Sequence, residues 1–218
     1  KVDPDQFGIS IVTVDGQVYQ KGDFNVDFSI QSMCKPFNYC FALEELGLDE
    51  VHKHVGQEPS GRKFNDLTLL LRTSEGFQNN STNIPFNPMI NAGAIMTSGL
   101  INSDETYENR FNFIKNEFAK LIGWTAKGKF DSKFPRFNKD VAREENFTGF
   151  NNMAIGYLLM ATGNLPSKEN KHKKKVNQKH DNFDFYIEPS VTEALKLYFS
   201  ICSLEMTATE VAMAAATL

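Results

Sequence analysis

The chain of 218 residues is 41% hydrophobic and 23% charged, which is the composition of a globular protein with one sizeable core. Its formal net charge of −4 gives no general attraction to nucleic acid or to acidic membranes, so neither is expected as a partner. No run of about 18 apolar residues occurs, which excludes a membrane-spanning helix. The three cysteines, Cys34, Cys40 and Cys202, form no Cys-x-x-Cys pair, which favours a reducing compartment over a disulfide framework or a zinc site. No residue pattern indicates a metal or an organic cofactor.

The first part of the chain alternates β-rich segments with turn residues and then changes to helical periodicity. Strands are predicted at residues 7–14, 17–21 and 26–30, with Asp15-Gly16 as a hairpin turn, and helices at 35–46 and 48–55, the first ended by Gly47. This order puts Ser32-Met33-Cys34-Lys35 where an extended segment becomes a helix.

Ser32 and Lys35 stand three positions apart, so a helix opening near Ser32 would place both on one face. A serine hydroxyl is a poor nucleophile until a base takes its proton, and a partly desolvated lysine can act as that base. Cys34 is expected to be a small buried hydrophobe rather than the nucleophile. The alternative for the pair is an N-cap serine followed by a solvated lysine. A second Ser-x-x-Lys at Ser60 to Lys63 follows Pro59 and is expected in a loop.

The middle of the chain contains a polar, Asn-rich stretch at 74–83, which predicts a surface loop. Residues 85–95 follow, with two prolines, small apolar residues and two embedded asparagines, Asn87 and Asn91. An asparagine in so apolar a setting needs hydrogen-bond partners, which a neighbouring backbone or a ligand can supply.

The second half is predicted to be mainly helical, with one irregular segment and one basic loop. Helices are predicted at 107–122, at 153–160 with Asn151 or Asn152 as the N-cap, at 191–202, and from Thr207 or Thr209 onward, while 123–139 is predicted to be irregular. Residues 168–180 hold six lysines and one glutamate. A solvated loop insertion is favoured there over a nucleic-acid site, because no aromatic residues interleave for base stacking.

Six segments taken together resemble the serine-dependent glutaminases, which hydrolyse L-glutamine to L-glutamate and ammonia. They lie at residues 8–17, 31–36, 55–61, 86–95, 152–157 and 203–207, in an order and spacing that span nearly the whole chain. The likeness is closest to the animal kidney- and liver-type forms. It implies an α+β fold like that of β-lactamases and penicillin-binding proteins, with a helical cluster beside an antiparallel sheet.

The resemblance also implies the roles of six residues. The family's nucleophile falls on Ser32 and its lysine on Lys35, and glutamine-binding positions fall on Asn91, Glu145, Asn152 and Tyr198. Glu145 is placed by its seven-residue spacing from Asn152, and Glu144 is its rival. Phe150-Asn151 stands where the family usually has Asp-Arg. The resemblance implies no cofactor and no metal.

In the family, about a third more catalytic domain follows the Ala-Ala-Thr-Leu stretch that here ends at Leu218. We therefore expect residues 1–218 to form a single, C-terminally truncated catalytic domain with an incomplete sheet. An inactive fragment is the alternative to an active amidohydrolase. One alternative is a non-catalytic glutamine-binding or assembly module. A second alternative is another Ser-x-x-Lys acylase, such as a β-lactamase or transpeptidase. Those enzymes use Ser-Asp-Asn and Lys-Thr-Gly elements, and neither tripeptide occurs in this sequence. The resemblance implies a homo-oligomer, dimer or tetramer, in the mitochondrial matrix or the cytoplasm.

Overall fold

The computed structural model describes residues 3–67, 70–72, 83–123, 134–161, 165 and 189–218, with backbone alone at 70–72, 83 and 189–190. Its strands are β1 (Gly8–Val12), β2 (Val18–Gly22), β3 (Phe28–Ser29), β4 (Leu70–Arg72), β5 (Asn83–Pro85), β6 (Arg136–Phe137) and β7 (Leu204–Met206). Its helices are α1 (Cys34–Leu46), α2 (Leu48–Val51), α3 (Asn91–Leu100), α4 (Tyr107–Leu121), α5 (Lys139–Thr148), α6 (Phe150–Ala161), α7 (Pro189–Cys202) and α8 (Ala208–Thr217). Among the described residues, no helix is long and apolar enough to cross a membrane. The predicted loop at 74–82 and the basic segment at 168–180 lie outside the described residues.

The strands found among the described residues form three small antiparallel sheets. The β1–β2 hairpin pairs Gly8 with Gly22 and Val12 with Val18, as the Asp15-Gly16 turn predicts. A second sheet has the order β3-β7-β6, and β4 pairs with β5 in a third. The middle strand β7 therefore connects the segment that leads into α1 with the segment that leads into α5, two elements that the resemblance assigns to one site.

Helix α3 lies at the centre of the helical cluster and packs against α1, α6 and α7. All ten of its residues are buried, which matches its lack of a polar face. Gly93 lets this helix approach the preceding loop, because a Cβ there would lie 1.9 Å from the Asn87 carbonyl oxygen. At the other end, buried Arg110 donates three hydrogen bonds of 2.8 Å to the carbonyls of Ser98, Gly99 and Ile101. These bonds satisfy carbonyls that a helix leaves without intrahelical partners.

Several predicted boundaries are confirmed and others are wrong. Helix α1 begins one residue before its predicted start, and α8 follows Thr207, whose hydroxyl accepts from the Glu210 N–H in a capping box. Helix α2 ends at Val51, because a turn replaces helix at 52–54. Helix α6 begins at Phe150, so Asn151 and Asn152 lie within its first turn and neither is its N-cap.

Strand β6 lies in the segment that the sequence predicted to be irregular, and α5 lies mostly where no element was predicted. Helix α5 is short and strongly polar, with few apolar residues to mark it as a helix in the sequence. The residue from which the start of α5 could have been predicted is Asn138. Its side chain accepts hydrogen bonds of 3.1 Å from the N–H groups of Asp140 and Val141, as an N-cap does.

Candidate active site

Ser32 lies in a 3-10 turn, Gln31–Met33, directly before α1. Its side chain is exposed and makes no hydrogen bond with any described residue. Gln31 has a left-handed backbone with φ of 47°, which turns the chain from β3 into the helix. The hydroxyl is therefore open to a molecule arriving from solvent. Ser32 is not an N-cap, because Met33 holds that position of α1 and makes no side-chain cap bond.

Lys35 lies three residues further on and is buried, with 4% of its surface exposed. The solvated-lysine alternative is therefore wrong. Burial lowers the pKa of the Lys35 amine, because a low-dielectric setting disfavours the charged form, while the thiols of Cys34 and Cys202 act weakly in the opposite direction. Its Nζ donates a 2.7 Å hydrogen bond to Asn91 Oδ1, and no hydrogen bond joins Lys35 to the Ser32 hydroxyl.

Asn91 is the first residue of α3 and is 7% exposed. Its Oδ1 accepts from Lys35, and its Nδ2 donates a 2.8 Å hydrogen bond to Asn152 Oδ1 on α6. Its backbone N–H donates to the Phe64 carbonyl at 2.8 Å. The prediction that this asparagine finds hydrogen-bond partners is confirmed. The chain Lys35–Asn91–Asn152 joins α1, α3 and α6 and fixes which way each amide faces.

Glu145 lies on α5 and is half-buried, whereas Glu144 is exposed. Gln31 Nε2 donates a 3.2 Å hydrogen bond to Glu145 Oε1. This carboxylate is therefore bonded to the residue that directly precedes the candidate nucleophile Ser32. The Gly149 N–H donates to the Glu145 carbonyl at 2.8 Å, which closes the last turn of α5. The geometry favours Glu145 over Glu144 as the carboxylate that faces the Ser32 segment.

Tyr198 lies on α7 and is 3% exposed. Burial raises the pKa of its phenol well above the usual range, with further contributions from Cys202, Cys34 and the charge of Glu145. Tyr198 is therefore a neutral hydroxyl near neutral pH. Its neighbours Cys34 and Cys202 bring their sulfur atoms to 3.8 Å. Cys34 is fully buried, and its hydrogen bond with Cys202 together with burial raises the pKa of its thiol, which fits the prediction of a small buried hydrophobe.

The structure thus brings five of the six candidate residues into two groups, while the Ser32 side chain makes no hydrogen bond with the described residues. One group is the hydrogen-bonded chain of Lys35, Asn91 and Asn152, and the other is Glu145 with Tyr198 near its charge. Sequence reasoning gave no role to Gln31 or to Phe64. Gln31 could have been suspected from its place beside Ser32, but no sequence signal relates Phe64 to Lys35. Within the described part of the chain, no group of three or more His, Cys, Asp or Glu side chains could hold a metal ion.

Comparisons with known proteins agree with this arrangement. The glutaminase family profile matches residues 1–218. The chain is 36% identical over its full length to the rat (Rattus norvegicus) mitochondrial liver isoform of glutaminase, covering 30% of that protein. It is also 36% identical to a glutaminase of the cyanobacterium Trichormus variabilis, covering 53% of it. The chain therefore spans about half or less of the length of these relatives.

A Bacillus glutaminase of known crystal structure superposes with a TM-score of 0.69 at 29% identity, over 93% of this chain and 55% of that one. This likeness confirms the predicted fold class, in which helices pack beside antiparallel sheet as in part of the β-lactamase-like fold. With a profile match along its whole length, the chain belongs to the glutaminase family.

Proposed function

We propose that this chain carries the glutamine-hydrolysing site of its family, with Ser32 as nucleophile and Lys35 as general base. The observation that carries the proposal is the buried amine of Lys35, hydrogen-bonded to Asn91 one helical turn from an exposed serine hydroxyl. A buried lysine amine is costly unless it is neutral, and a neutral amine is what a general base requires.

The Lys35–Asn91 bond supports this role even though Lys35 and Ser32 are not bonded to each other. A neutral amine has two N–H groups and one lone pair. Asn91 Oδ1 accepts one N–H, and it cannot turn away because the other end of its amide donates to Asn152. The lone pair of Lys35 therefore stays available to accept the proton of Ser32. Catalytic hydrogen bonds are often long or absent until substrate is present.

In the proposed reaction, Ser32 Oγ attacks the side-chain amide carbon of glutamine while its proton passes to Lys35 Nζ. The backbone N–H of Ser32, at the start of the helix, is proposed as a donor to the developing oxyanion. Collapse of this intermediate breaks the C–N bond, and the leaving nitrogen takes the proton from Lys35 to depart as ammonia. Water then attacks the glutamyl ester, Lys35 takes its proton and returns it to Ser32 Oγ, and glutamate is released.

The remaining residues suit the two charged ends of free glutamine. Glu145 is proposed to bind the ammonium group, since a carboxylate makes charge-assisted hydrogen bonds with it. Asn91 and Asn152 are proposed to contact the substrate's polar groups through amide atoms not used in their mutual bond. The neutral phenol of Tyr198 is proposed to supply one further directed hydrogen bond.

We also propose that residues 1–218 form one domain with the basic segment 168–180 as a loop insertion, supported by the single hydrophobic core of the described residues. A homo-oligomer, dimer or tetramer, is proposed from the family resemblance. A reducing compartment, the mitochondrial matrix or the cytoplasm, is also proposed. The rat relative is named as a mitochondrial isoform, and the three cysteines of this chain are free.

The test is ammonia release from L-glutamine by the purified chain, with Ser32→Ala as the matched variant. Since Ser32 is exposed and makes no side-chain hydrogen bond with described residues, Ser32→Ala is expected to keep the thermal stability of the parent. Turnover that is lost in Ser32→Ala supports the proposal, whereas turnover at the parent rate in that variant refutes the nucleophile. Thermal stabilisation by glutamine with no ammonia from either chain would instead establish a binding module.

A further inference from the structure

Phe64 belongs to the segment 61–67 between α2 and β4, and it touches the candidate site in two ways. Its ring centroid lies 5.4 Å from Lys35 Nζ. Its carbonyl accepts the N–H of Asn91, the residue that also binds Lys35 through its side chain. The ring itself is 59% exposed, whereas Lys35 is 4% exposed. One surface ring thus lies between bulk water and a buried amine.

The chain just before this segment is anchored to the strand and loop that lead into α3. Gly56 N–H donates to the Pro85 carbonyl, Glu58 N–H donates to the Phe86 carbonyl, and Asn87 Nδ2 donates to the Glu58 carbonyl, at 2.8 to 2.9 Å. Together with the bond from the Asn91 N–H to the Phe64 carbonyl, these attachments tie the chain around Phe64 to the α3 side, where its ring lies over Lys35.

We propose that Phe64 is a positioning residue for the base: its ring screens the Lys35 amine from water and so keeps the amine neutral and available to Ser32. This inference rests on the proposed function for its catalytic meaning. Phe64 does not touch the reacting atoms in this account and acts through Lys35.

Two effects of the ring on Lys35 have opposite signs. Screening from water disfavours the charged amine, and full burial can move a lysine pKa by several units. The ring face attracts a cation, which favours the charged amine by about half a pH unit for a partly exposed ring. At 5.4 Å the ring is near the outer limit of that attraction, about 6 Å, so the screening effect is expected to dominate.

Few titratable groups act on Lys35 besides the burial of its amine. On its own helix the titratable neighbour is Cys34, and on α7 it is Cys202. Each raises the pKa of Lys35 by less than burial lowers it. On α3 and α6 the neighbours are the neutral amides of Asn91 and Asn152. No carboxylate is among the groups found to act on Lys35 in the described part of the chain.

The test compares Phe64→Ala, Phe64→Leu and Leu67→Ala with the parent. Leucine keeps an apolar cover but has no ring face, and Leu67 is an exposed apolar residue of the same segment. The first readout is the titration of Lys35 in protein labelled with ¹³C at the lysine Cε atoms, without substrate, with the Lys35 resonance assigned by its loss in Lys35→Gln. The second is the pH profile of kcat for ammonia release.

Phe64→Ala is expected to raise the Lys35 titration midpoint by about one pH unit, and the acid limb of kcat by the same amount, so that kcat on that limb falls about tenfold. Leu67→Ala is expected to stay within about 0.3 pH unit of the parent, whereas Phe64→Leu, which keeps the apolar cover but loses the ring face, is expected to match the parent or to lie up to about half a pH unit lower. An unchanged or lowered midpoint in Phe64→Ala overturns the proposal, as does a midpoint in Phe64→Leu raised as far as in Phe64→Ala.

The two proposals fail in different ways. A raised midpoint in Phe64→Ala, with no ammonia released by the parent, supports the screening of Lys35 and refutes the hydrolase. An unchanged midpoint in Phe64→Ala, with a parent that turns over, refutes the screening and leaves the hydrolase standing. Because Phe64 is exposed, its variants are expected to fold, and circular dichroism and thermal melting verify this before either readout.

Discussion

Replacing Asn91 by aspartate tests the link between Lys35 and its amide partner most directly. Asn91→Asp changes one terminal group and places a carboxylate oxygen where the amide oxygen now accepts from Lys35 Nζ at 2.7 Å. Asn152 is half-buried on α6 and can turn its amide to donate to the new carboxylate. The substitution therefore adds a charge next to the base with little change in shape.

Two unit charges 2.7 Å apart attract by about 6 kcal/mol at an effective dielectric constant of about 20. Desolvation of the buried carboxylate offsets several kcal/mol of this, which leaves roughly 2 to 3 kcal/mol in favour of the protonated lysine. That corresponds to a rise of about two units in the pKa of Lys35. On the acid limb of the pH profile, kcat is then expected to be about 100-fold lower than in the parent at the same pH and to recover as the pH is raised.

The assay is the pH profile of kcat for ammonia release, with the Lys35 titration as an independent readout. Asn87→Asp is the matched control, because the same charge is added one turn earlier in the chain, where the side chain bonds the Glu58 carbonyl and the N–H groups of Met89 and Ile90. Its acid limb is expected to stay in place. A folded Asn91→Asp whose acid limb and kcat match the parent would refute the role of Lys35 as base.

Three further predictions concern stability. Gly93→Ala is expected to lower the free energy of unfolding by more than about 2 kcal/mol, because its Cβ would overlap a carbonyl oxygen. Gly99→Ala in the same helix meets only an ordinary 3.6 Å contact and is expected to be neutral or stabilising by up to about 1 kcal/mol. Urea denaturation of the two variants and the parent measures both effects. Arg110→Met leaves three buried carbonyls without their donor and is expected to cost about 3 to 5 kcal/mol by the same measurement; a loss below about 1 kcal/mol would contradict this. The pKa of Lys35 in the folded state is lowered below 10.5, so between these two values the unfolded chain binds more protons than the folded chain, and the free energy of unfolding rises with pH. Lys35→Met lacks this group, so its stability relative to the parent is expected to decline over that pH range. A difference that stays constant with pH would refute the lowered pKa.

The sequence located the start of the site well because local signals converge there. A strand-like segment, a turn and helical periodicity together place residues 32–35 at a strand-to-helix boundary, and the structure has β3, a 3-10 turn and α1 in that order. The apolar setting of Asn91 likewise predicted that its amide must be satisfied. Both conclusions follow from chemistry within a few residues of the group concerned.

What the sequence could not predict is long-range pairing between polar groups. The partner of Asn91 on one side is 56 residues earlier and on the other side 61 residues later, and Gln31 bonds a carboxylate 114 residues away. Periodicity does not encode such pairs. Helix α5 was missed because it is short and strongly polar, so the placement of Glu145 rested on resemblance alone until the fold was known.

The unusual backbone of Gln31 explains how the site combines an exposed nucleophile with a buried base. A non-glycine residue with φ of 47° costs about 1 kcal/mol or more, and such a cost persists only where surrounding contacts fix the conformation. Here the Gln31 side chain bonds Glu145 on α5, while the next residues start the 3-10 turn. The sharp turn leaves Ser32 on the surface and sends Lys35 into the core toward Asn91. The left-handed residue therefore sets the direction in which residues 32–35 leave β3, so that this segment begins at the surface with Ser32 and within one turn enters the core with Lys35.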